Sequence, residues 1–414
     1  MVLSKPIADI GASRRWLAIV GIGEDGIEGL NPAARHLIKG AEIVFGGKRH
    51  LELADSLIRG VAKPWPSPFD GAVEDVLACR GQQVCVLASG DPFQHGIGPL
   101  LAARLSTDEM IVSPSVSAFS LAAARLGWAL PETTLLSLHG RAIDLIRPHL
   151  HPGARILAFT SDGDGPRAIA QLLDESGFGG SAVTVLEALG GPGEQIRRAI
   201  SKSFALDAVN PLNLVAVEVK PSAGARIIAR VPGLADDLFE HDGQITKREV
   251  RALTLSSLSP TRGQLLWDIG AGSGSVAIEW TLADQSLNAI AIEARPERAA
   301  RIRRNAAAFG VPDLEVVEGI APRALDGLRP PDAIFVGGGA SDPDVLDRAI
   351  AALPAAGRLV VNAVTLETEA ILLARYAALG GELIRIVLER AAPVGDLTGW
   401  RPAMPVIQWC WIKP

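Results

Sequence analysis

The sequence predicts an α/β protein of two domains, and three observations carry that prediction. Short apolar, β-branched runs alternate with longer helix-like stretches from end to end, the pattern of parallel-sheet structure. The 414 residues exceed one ordinary domain, which holds about 100–200. The composition also changes near residue 220, where Lys220-Pro221-Ser222-Ala223-Gly224-Ala225 is small and polar, like a linker. Domains of 1–220 and 221–414 follow.

The elements can be placed in order. Trp16–Ile22 reads as the first strand, a nearly unbroken apolar run. Asn31-Pro32 sets an N-cap before a proline at the first helical position, and predicts a helix through Lys39. Further strands are expected at Glu42–Phe45, Val84–Ala88, Ile156–Phe159, Ala182–Leu186 and Asn213–Val219. Beyond the linker, Thr246 with Glu249 three residues on has the form of a capping box, for a helix to about Leu258. Strands follow at Leu265–Ile269, Ala289–Glu293, Leu314–Val317, Ala333–Val336 and Arg358–Val361. Two late strands, Glu382–Leu388 and Val406–Ile412, finish the chain.

Composition narrows the function classes. With 48% apolar and 21% charged residues the chain can build large cores and is not of the disordered class. Its 40 basic and 46 acidic residues give a net charge of -6. That argues against a general nucleic-acid binder, though not against local basic pockets for an anionic small molecule. Cys79, Cys85 and Cys410 have no CxxC spacing and read as reduced thiols of a cytoplasmic protein. Met1 to Trp16 holds Arg14 and Arg15 but no apolar run after them, so no signal peptide is expected. Nor is a membrane span, since no apolar run reaches about 18 residues.

The strongest motif is Asp268-Ile269-Gly270-Ala271-Gly272-Ser273-Gly274-Ser275, a strand end, a glycine turn and a helix start. Glycine suits a tight turn that a ligand approaches closely. The free N–H groups of the helix start favour a negative group, such as a carboxylate. Nineteen residues after Gly274 the next strand ends in Glu293, placed to accept hydrogen bonds from a ribose diol. Gly272 to Ala277 also fits the GxGxxA form of a dinucleotide fingerprint. Asp268 before the turn and the GxGxG spacing are instead typical of S-adenosylmethionine-dependent methyltransferases, which seat the adenine where Glu318-Gly319-Ile320-Ala321 stands.

In the first half, Gly21-Ile22-Gly23-Glu24-Asp25-Gly26 is a literal GxGxxG, with Glu42 at the spacing of a ribose partner. The helical signal begins only at Asn31, too late for a dinucleotide turn, and a lone GxGxxG is weak evidence. More informative are Leu87-Ala88-Ser89-Gly90-Asp91-Pro92-Phe93-Gln94-His95-Gly96-Ile97-Gly98 and the hydroxyl-rich Ser113-Pro114-Ser115-Val116-Ser117-Ala118-Phe119. The alternative for the Gly90-Asp91-Pro92 segment is a plain turn.

These first-half segments resemble the tetrapyrrole methylase family, with an early glycine loop, a GDP turn and a serine-rich loop. With Phe45-Gly46-Gly47-Lys48-Arg49-His50 and Ser137-Leu138-His139-Gly140-Arg141, they resemble the N-terminal half of the decarboxylating precorrin C5,15-methyltransferase family. The stretches from Phe239 to Arg251, Asp268 to Ser275, Ala291 to Arg298 and Asp332 to Gly339 resemble its C-terminal half. The resemblance covers nearly the whole chain, in the family's order.

The resemblance implies a tetrapyrrole methylase-like α/β domain followed by a class I, Rossmann-like, seven-stranded methyltransferase domain with an antiparallel strand near its end. It implies S-adenosylmethionine contacts at Thr246, Gly270, Ala271, Gly272, Ser273, Gly274, Glu293 and Ala321. In the first half the matching positions are Gly21, Gly23, Gly90, Asp91, Ser115 and Ser117. It implies methylation of carbons 5 and 15 of a precorrin-6 macrocycle and loss of the ring C acetate carboxyl, giving precorrin-8 in cobalamin synthesis. Carbon 5 falls to residues 1–220; carbon 15 and the decarboxylation fall to 221–414. A homo-oligomer is also implied.

Little catalytic apparatus is needed, because the sulfonium methyl is already activated and positioning supplies much of the rate. Neither a metal nor a Ser/His/Asp triad is expected. Decarboxylation gains from a nearby acid. The ionisable candidates are His241 and Asp242 in the second half, or else a solvated loop, and Asp91 and His95 in the first, or else a turn brace and a structural histidine. Lys48, Arg49, His50, Lys247 and Arg248 are candidates for substrate carboxylates. Arg295, Arg298, Arg301, Arg303 and Arg304 read as the solvated face of a helix. Two rivals stand beside this reading: an NAD(P)-dependent oxidoreductase, and a fusion with one non-catalytic half.

Overall fold

The structure, a computed structural model, describes residues 15–67, 69 and 71–414. The reading of the N-terminal segment therefore lies outside the described residues as far as Arg14. Two compact units are present: one runs to Arg141 and resumes over Pro152–Ala223, and the other joins Ala142–His151 to Gly224–Pro414.

The first unit opens with a parallel five-stranded sheet of β1 (Leu17–Ile22), β2 (Ile43–Gly46), β3 (Val61–Pro64), β4 (Val84–Ser89) and β5 (Met110–Ser113), in the order β3-β2-β4-β1-β5. Every residue of β1 is buried, as a central parallel strand covered on both faces requires. Between the strands run α1 (Pro32–Gly40), α2 (Lys48–Ala54), α3 (Ala72–Leu77) and α4 (Gly98–Ala102). Asn31 caps α1, its side chain accepting from the Ala34 amide at 2.8 Å, with Pro32 in the first turn.

A second five-stranded sheet follows α5 (Ala118–Leu126). It comprises β6 (Thr133–Ser137), β7 (Arg155–Phe159), β8 (Ala182–Glu187), β9 (Gln195–Ile200) and β10 (Asn213–Glu218), with α6 (Gly165–Leu173) after β7. Its order is β6-β7-β10-β8-β9, and only β6 and β7 are parallel. Four strands of this unit are absent from the sequence reading: β3, β5, β6 and β9. They are the four edge strands of the two sheets. β3, β6 and β9 mix polar with apolar residues, and β5 carries only three consecutive apolar residues, so none shows the long unbroken run that marks a central strand.

The second unit carries α7 (Arg248–Leu258), β11 (Leu265–Ile269), α8 (Ser275–Ala283), β12 (Asn288–Glu293), α9 (Pro296–Ala308), β13 (Glu315–Glu318), β14 (Ala333–Val336), α10 (Pro343–Ala352), β15 (Arg358–Ala363), α11 (Leu366–Leu379) and β16 (Glu382–Ile386). A hairpin of β17 (Glu389–Val394) and β18 (Leu397–Pro402) precedes the last strand, β19 (Val406–Ile412). Seven strands pair in the order β13-β12-β11-β14-β15-β19-β16, with β19 antiparallel to both neighbours. This is the expected class I sheet. Two differences remain. The hairpin turns on Gly395-Asp396, forms a separate sheet and exposes Leu397 and Trp400. And α7 starts at Arg248, with Lys247 at the N-cap position and no side-chain cap. The Thr246 capping box does not form: the first helical bond runs from the Arg251 amide to the Lys247 carbonyl at 2.7 Å, which leaves Thr246 one residue before the N-cap, its carbonyl held by the Arg251 side chain at 2.5 Å. Among the described residues no helix is long and apolar enough to cross a membrane.

Candidate functional site

In the first unit, the loops after β1, β4 and β5 meet backbone to backbone. The Gly90 amide donates to the Ile22 carbonyl, and the Ser115 amide donates to the Gly90 carbonyl, both at 3.0 Å. A Cβ on Gly21 would stand 1.7 Å from the Gly90 oxygen, so only glycine fits there. Gly90 itself has φ +52°. The helix α1 begins only at Pro32, well past the glycine turn, unlike a dinucleotide fold.

These loops border a cleft of ≈ 660 Å³, lined by Gly23, Gly90, Asp91, His95 and Ser117 of the expected residues. Gly21 and Ser115 lie behind them in the backbone contacts. The Asp91 carboxylate accepts from the Phe93 amide at 2.9 Å and braces the turn. Ser117 caps α5 through the Ser120 amide at 3.2 Å. His95 adopts φ +61° and sets its ring edge-on to Phe119 and Phe159.

Of the three basic candidates here, Lys48 is exposed. Arg49 pairs with Glu24, and its Nη2 lies 3.2 Å from His50 Nε2. That Nε2 is also 2.8 Å from the Ser89 hydroxyl. Burial, with the Arg49 charge, pushes the His50 pKa down to about 4.

In the second unit the turn after β11 is built as read. Gly270, Gly272 and Gly274 have φ of +71°, +61° and +75°, and α8 starts at Ser275. A Cβ on Gly270 would meet the Gly338 carbonyl at 2.7 Å, and one on Gly274 would meet Ile302 at 2.7 Å. Glu293 ends β12, accepting from the Gly272 amide at 2.8 Å and the Arg295 amide at 3.0 Å. The Ser273 hydroxyl is buried without a partner. Ala321 follows β13, and Thr246 precedes α7.

Asp268 lies beneath this turn, fully buried, and accepts from the Ala277 amide at 3.1 Å. Burial first, then the nearby Glu293 charge, push its carboxyl up to about 7. An aspartate in an unfolded chain ionises near about 3.9. The folded value is the higher one, so the stabilising contribution is full below the unfolded value and is lost as pH rises through about 7. Asp268→Asn is therefore expected to flatten that fall in the ligand-free chain. Urea denaturation between about pH 4 and 8 measures it, and an unchanged slope would clear Asp268 as its source.

The strap of residues 233–247 crosses this turn. Asn305 of α9 holds both: its amide donates to the Glu240 carbonyl at 3.0 Å and to the Ser273 carbonyl at 2.9 Å, and its oxygen accepts from the Glu240 amide at 2.9 Å. At the tip, Asp242 pairs with Arg298 at 2.8 Å and Arg301 at 3.2 Å. These hydrogen bonds, Arg298's foremost, hold its carboxyl well below the usual range, so it is a standing anion and a poor proton donor. His241 accepts from the Gly243 amide at 3.1 Å. Lys247 lies 3.7 Å from Asp236, and Arg248 3.9 Å from Glu249.

The arginine face of α9 is thus not simply solvated. Arg298 and Arg301 clamp the strap, and Arg304 binds Glu240. The sequence reading also leaves out Ser137, His139, Thr160, Ser161 and Asn213, which the second sheet of the first unit brings to the cleft. The signal for His139 is the SLHGR segment itself, a histidine before a glycine at a strand end.

Two family descriptions match the chain: Tetrapyrrole (Corrin/Porphyrin) Methylases over residues 17–204, and Precorrin methyltransferase domain over 237–413. A precorrin-6Y C(5,15)-methyltransferase [decarboxylating] of Sinorhizobium sp is 60% identical over 96% of this chain and 96% of its own. The protein of the same name from Mycobacterium tuberculosis is 42% identical over 95% of this chain and 98% of its own. A crystal structure of the C-terminal domain of precorrin-6Y C5,15-methyltransferase from Rhodobacter capsulatus is 45% identical, covering 45% of this chain and 100% of that one at a TM-score of 0.43. With such identity along almost its entire length, the chain belongs to the precorrin-6Y C(5,15)-methyltransferase (decarboxylating) family.

Proposed function

We propose that this chain is a bifunctional S-adenosylmethionine-dependent methyltransferase of cobalamin biosynthesis. It methylates carbons 5 and 15 of a precorrin-6 macrocycle and decarboxylates the ring C acetate, giving precorrin-8. The first unit is assigned carbon 5; the second is assigned carbon 15 and the decarboxylation. The observation that carries the two-site reading is the repetition of a glycine-built loop at parallel strand ends in each unit.

S-adenosylmethionine supplies an electrophilic methyl group to an electron-rich meso carbon. The residues present fit it. In the second unit Gly270, Gly272 and Gly274 supply the left-handed turn at the strand end, the buried Ser273 hydroxyl lacks a partner, and Glu293 stands at the end of the next strand. In the first unit Gly21, Gly23, Gly90, Asp91, Ser115 and Ser117 form the matching edge. The protein's work is to orient and to exclude water. Asp242, as an anion locked to two arginines, positions the strap; it does not deliver the proton that replaces carbon dioxide. A homo-oligomer belongs to the same proposal, supported by Leu397 and Trp400, which are 78% and 72% exposed on the hairpin. A cytoplasmic setting is proposed with it.

Calorimetric titration of the full chain with S-adenosylmethionine, with NADP as control, tests the reading. Two equivalents and no NADP binding are expected. Glu293→Ala should weaken one site at least tenfold, the scale of about 1.4 kcal/mol, and leave the other unchanged. NADP binding without S-adenosylmethionine binding would return the oxidoreductase.

A further inference from the structure

Three of the chain's seven histidines, His50, His95 and His139, line the cleft of the first unit. Their hydrogen bonds separate them. Arginine can only donate, so the Arg49 contact occupies the lone pair of His50 Nε2. His95 has no hydrogen-bond partner on either ring nitrogen among the described residues, so nothing fixes its proton. His139 differs from both. Its Nδ1 stands 3.2 Å from the Thr160 carbonyl oxygen. A carbonyl only accepts, so the proton is on Nδ1 and the neutral ring keeps its lone pair on Nε2.

The surroundings hold that orientation. His139 is the second residue of a turn closed by the Arg141 amide on the Leu138 carbonyl at 3.1 Å. Gly140, the third residue, has φ +67°, a conformation that favours glycine. Its amide donates to the Ser161 hydroxyl at 2.9 Å. Thr160 is buried and tied to Asn213 through its hydroxyl at 2.6 Å, so the carbonyl that faces His139 is itself fixed. His139 is exposed and lines the cleft, and among the described residues its Nε2 has no hydrogen-bond partner. The other titratable side chains lining the cleft are Glu24, Arg49, His50, Asp91 and His95.

We propose that His139 is the proton acceptor of the first site, its Nε2 taking the hydrogen of the meso carbon that is methylated there. The role rests on the reading of this cleft as the carbon 5 site. A meso methine carbon carries one hydrogen. A carbon–methyl bond forms there as the donor's sulfur–methyl bond breaks, with that electron pair left on sulfur and a positive charge on the macrocycle. The carbon–hydrogen bond then breaks. Its electron pair returns to the ring and restores conjugation, and the proton passes to Nε2. The resulting imidazolium is stabilised through Nδ1–H on the Thr160 carbonyl. Such a positioned base contributes about 10²–10⁴-fold.

Two measurements on the full chain test this. Long-range ¹H–¹⁵N correlation spectra of the ligand-free protein should show a histidine protonated at Nδ1 whose signal vanishes in His139→Gln. A signal protonated at Nε2 would overturn the assignment. With precorrin-6 and S-adenosylmethionine, His139→Gln and His139→Asn should form the carbon 5 product at least about 100-fold more slowly. Both should still bind two equivalents of S-adenosylhomocysteine, which shows that the cleft is folded. His139→Asn keeps a donor for the Thr160 carbonyl, so it separates loss of the base from loss of the turn. A near wild-type rate in either variant overturns the role alone. A wild-type chain that binds one equivalent or makes no carbon 5 product overturns the functional reading, and the role with it.

Discussion

Arg251→Met is expected to destabilise the second unit by about 3–5 kcal/mol, the range for removing one partner of a buried ion pair. Arg251 is 0% exposed. Its Nε donates to Glu279 at 2.5 Å, and its Nη1 donates to Asp236 at 3.1 Å and to the Thr246 carbonyl at 2.5 Å. Its Nη2 reaches the Leu234 carbonyl, and its guanidinium lies 4.8 Å from the Phe239 ring centre. Methionine matches the volume but leaves the Glu279 carboxylate buried without its counter-charge. Burial already raises the Glu279 pKa against the pull of Arg251. The strap would lose Arg251's hold on the Leu234 carbonyl, Asp236 and the Thr246 carbonyl, and keep the Gly233 and Leu234 amides on Glu279. Arg251→Lys restores charge without the planar fork and should fall between. Adding Glu279→Gln to Arg251→Met should recover part of the loss, because no unpaired charge then remains. Urea denaturation of the full chain reads all three, and a loss under about 1 kcal/mol in Arg251→Met would place water in this site.

Gly21→Ala should abolish binding of one of two S-adenosylmethionine equivalents. The new Cβ would fall 1.7 Å from the Gly90 oxygen and 2.7 Å from the Ser115 nitrogen. Both are backbone atoms, so no rotamer relieves the clash. The ends of β1, β4 and β5 must separate, and the Ser115 amide must release the Gly90 carbonyl. Overpacking of this kind costs at least about 1–3 kcal/mol where side chains can yield; here the backbone must. Gly40→Ala is the matched control: no atom lies within 4 Å of its Cβ position, and that chain should keep both equivalents. Two equivalents at unchanged affinity in Gly21→Ala would remove the close approach from the binding site.

What is legible in the sequence follows from where each signal resides. β11 and β14 fall at Leu265–Ile269 and Ala333–Val336 as expected, because central parallel strands are unbroken apolar runs. The glycine loops are legible because a backbone that nearly touches another backbone admits no side chain. The four edge strands of the first unit are not legible, since their own patterns are short or mixed, whereas β13 and β16, the edges of the seven-stranded sheet, are. Glu389–Pro402 hides a hairpin because its apolar residues are not buried within this chain. Partnerships across distance are also illegible. Asp242 and Arg298 are 56 residues apart, and the carbonyl that orients His139 comes from the end of another strand. Residue type and spacing can nominate an acid or a base; only the folded neighbours decide which proton it holds.

Asn305 has a thermodynamic consequence. One buried amide carries both the strap, through Glu240, and the glycine turn, through the Ser273 carbonyl. The bonds to both meet at this one side chain, so an Asn305 orientation that suits one suits the other and links their positions. A ligand that tightens the turn then favours the strap, and a ligand seated against the strap favours the turn, each raising the other's affinity by the same factor. Methyl donor and macrocycle would then raise each other's affinity by one factor, and the demethylated product would inherit that grip. Release of products from the second unit becomes a question of which ligand departs first and so loosens the other.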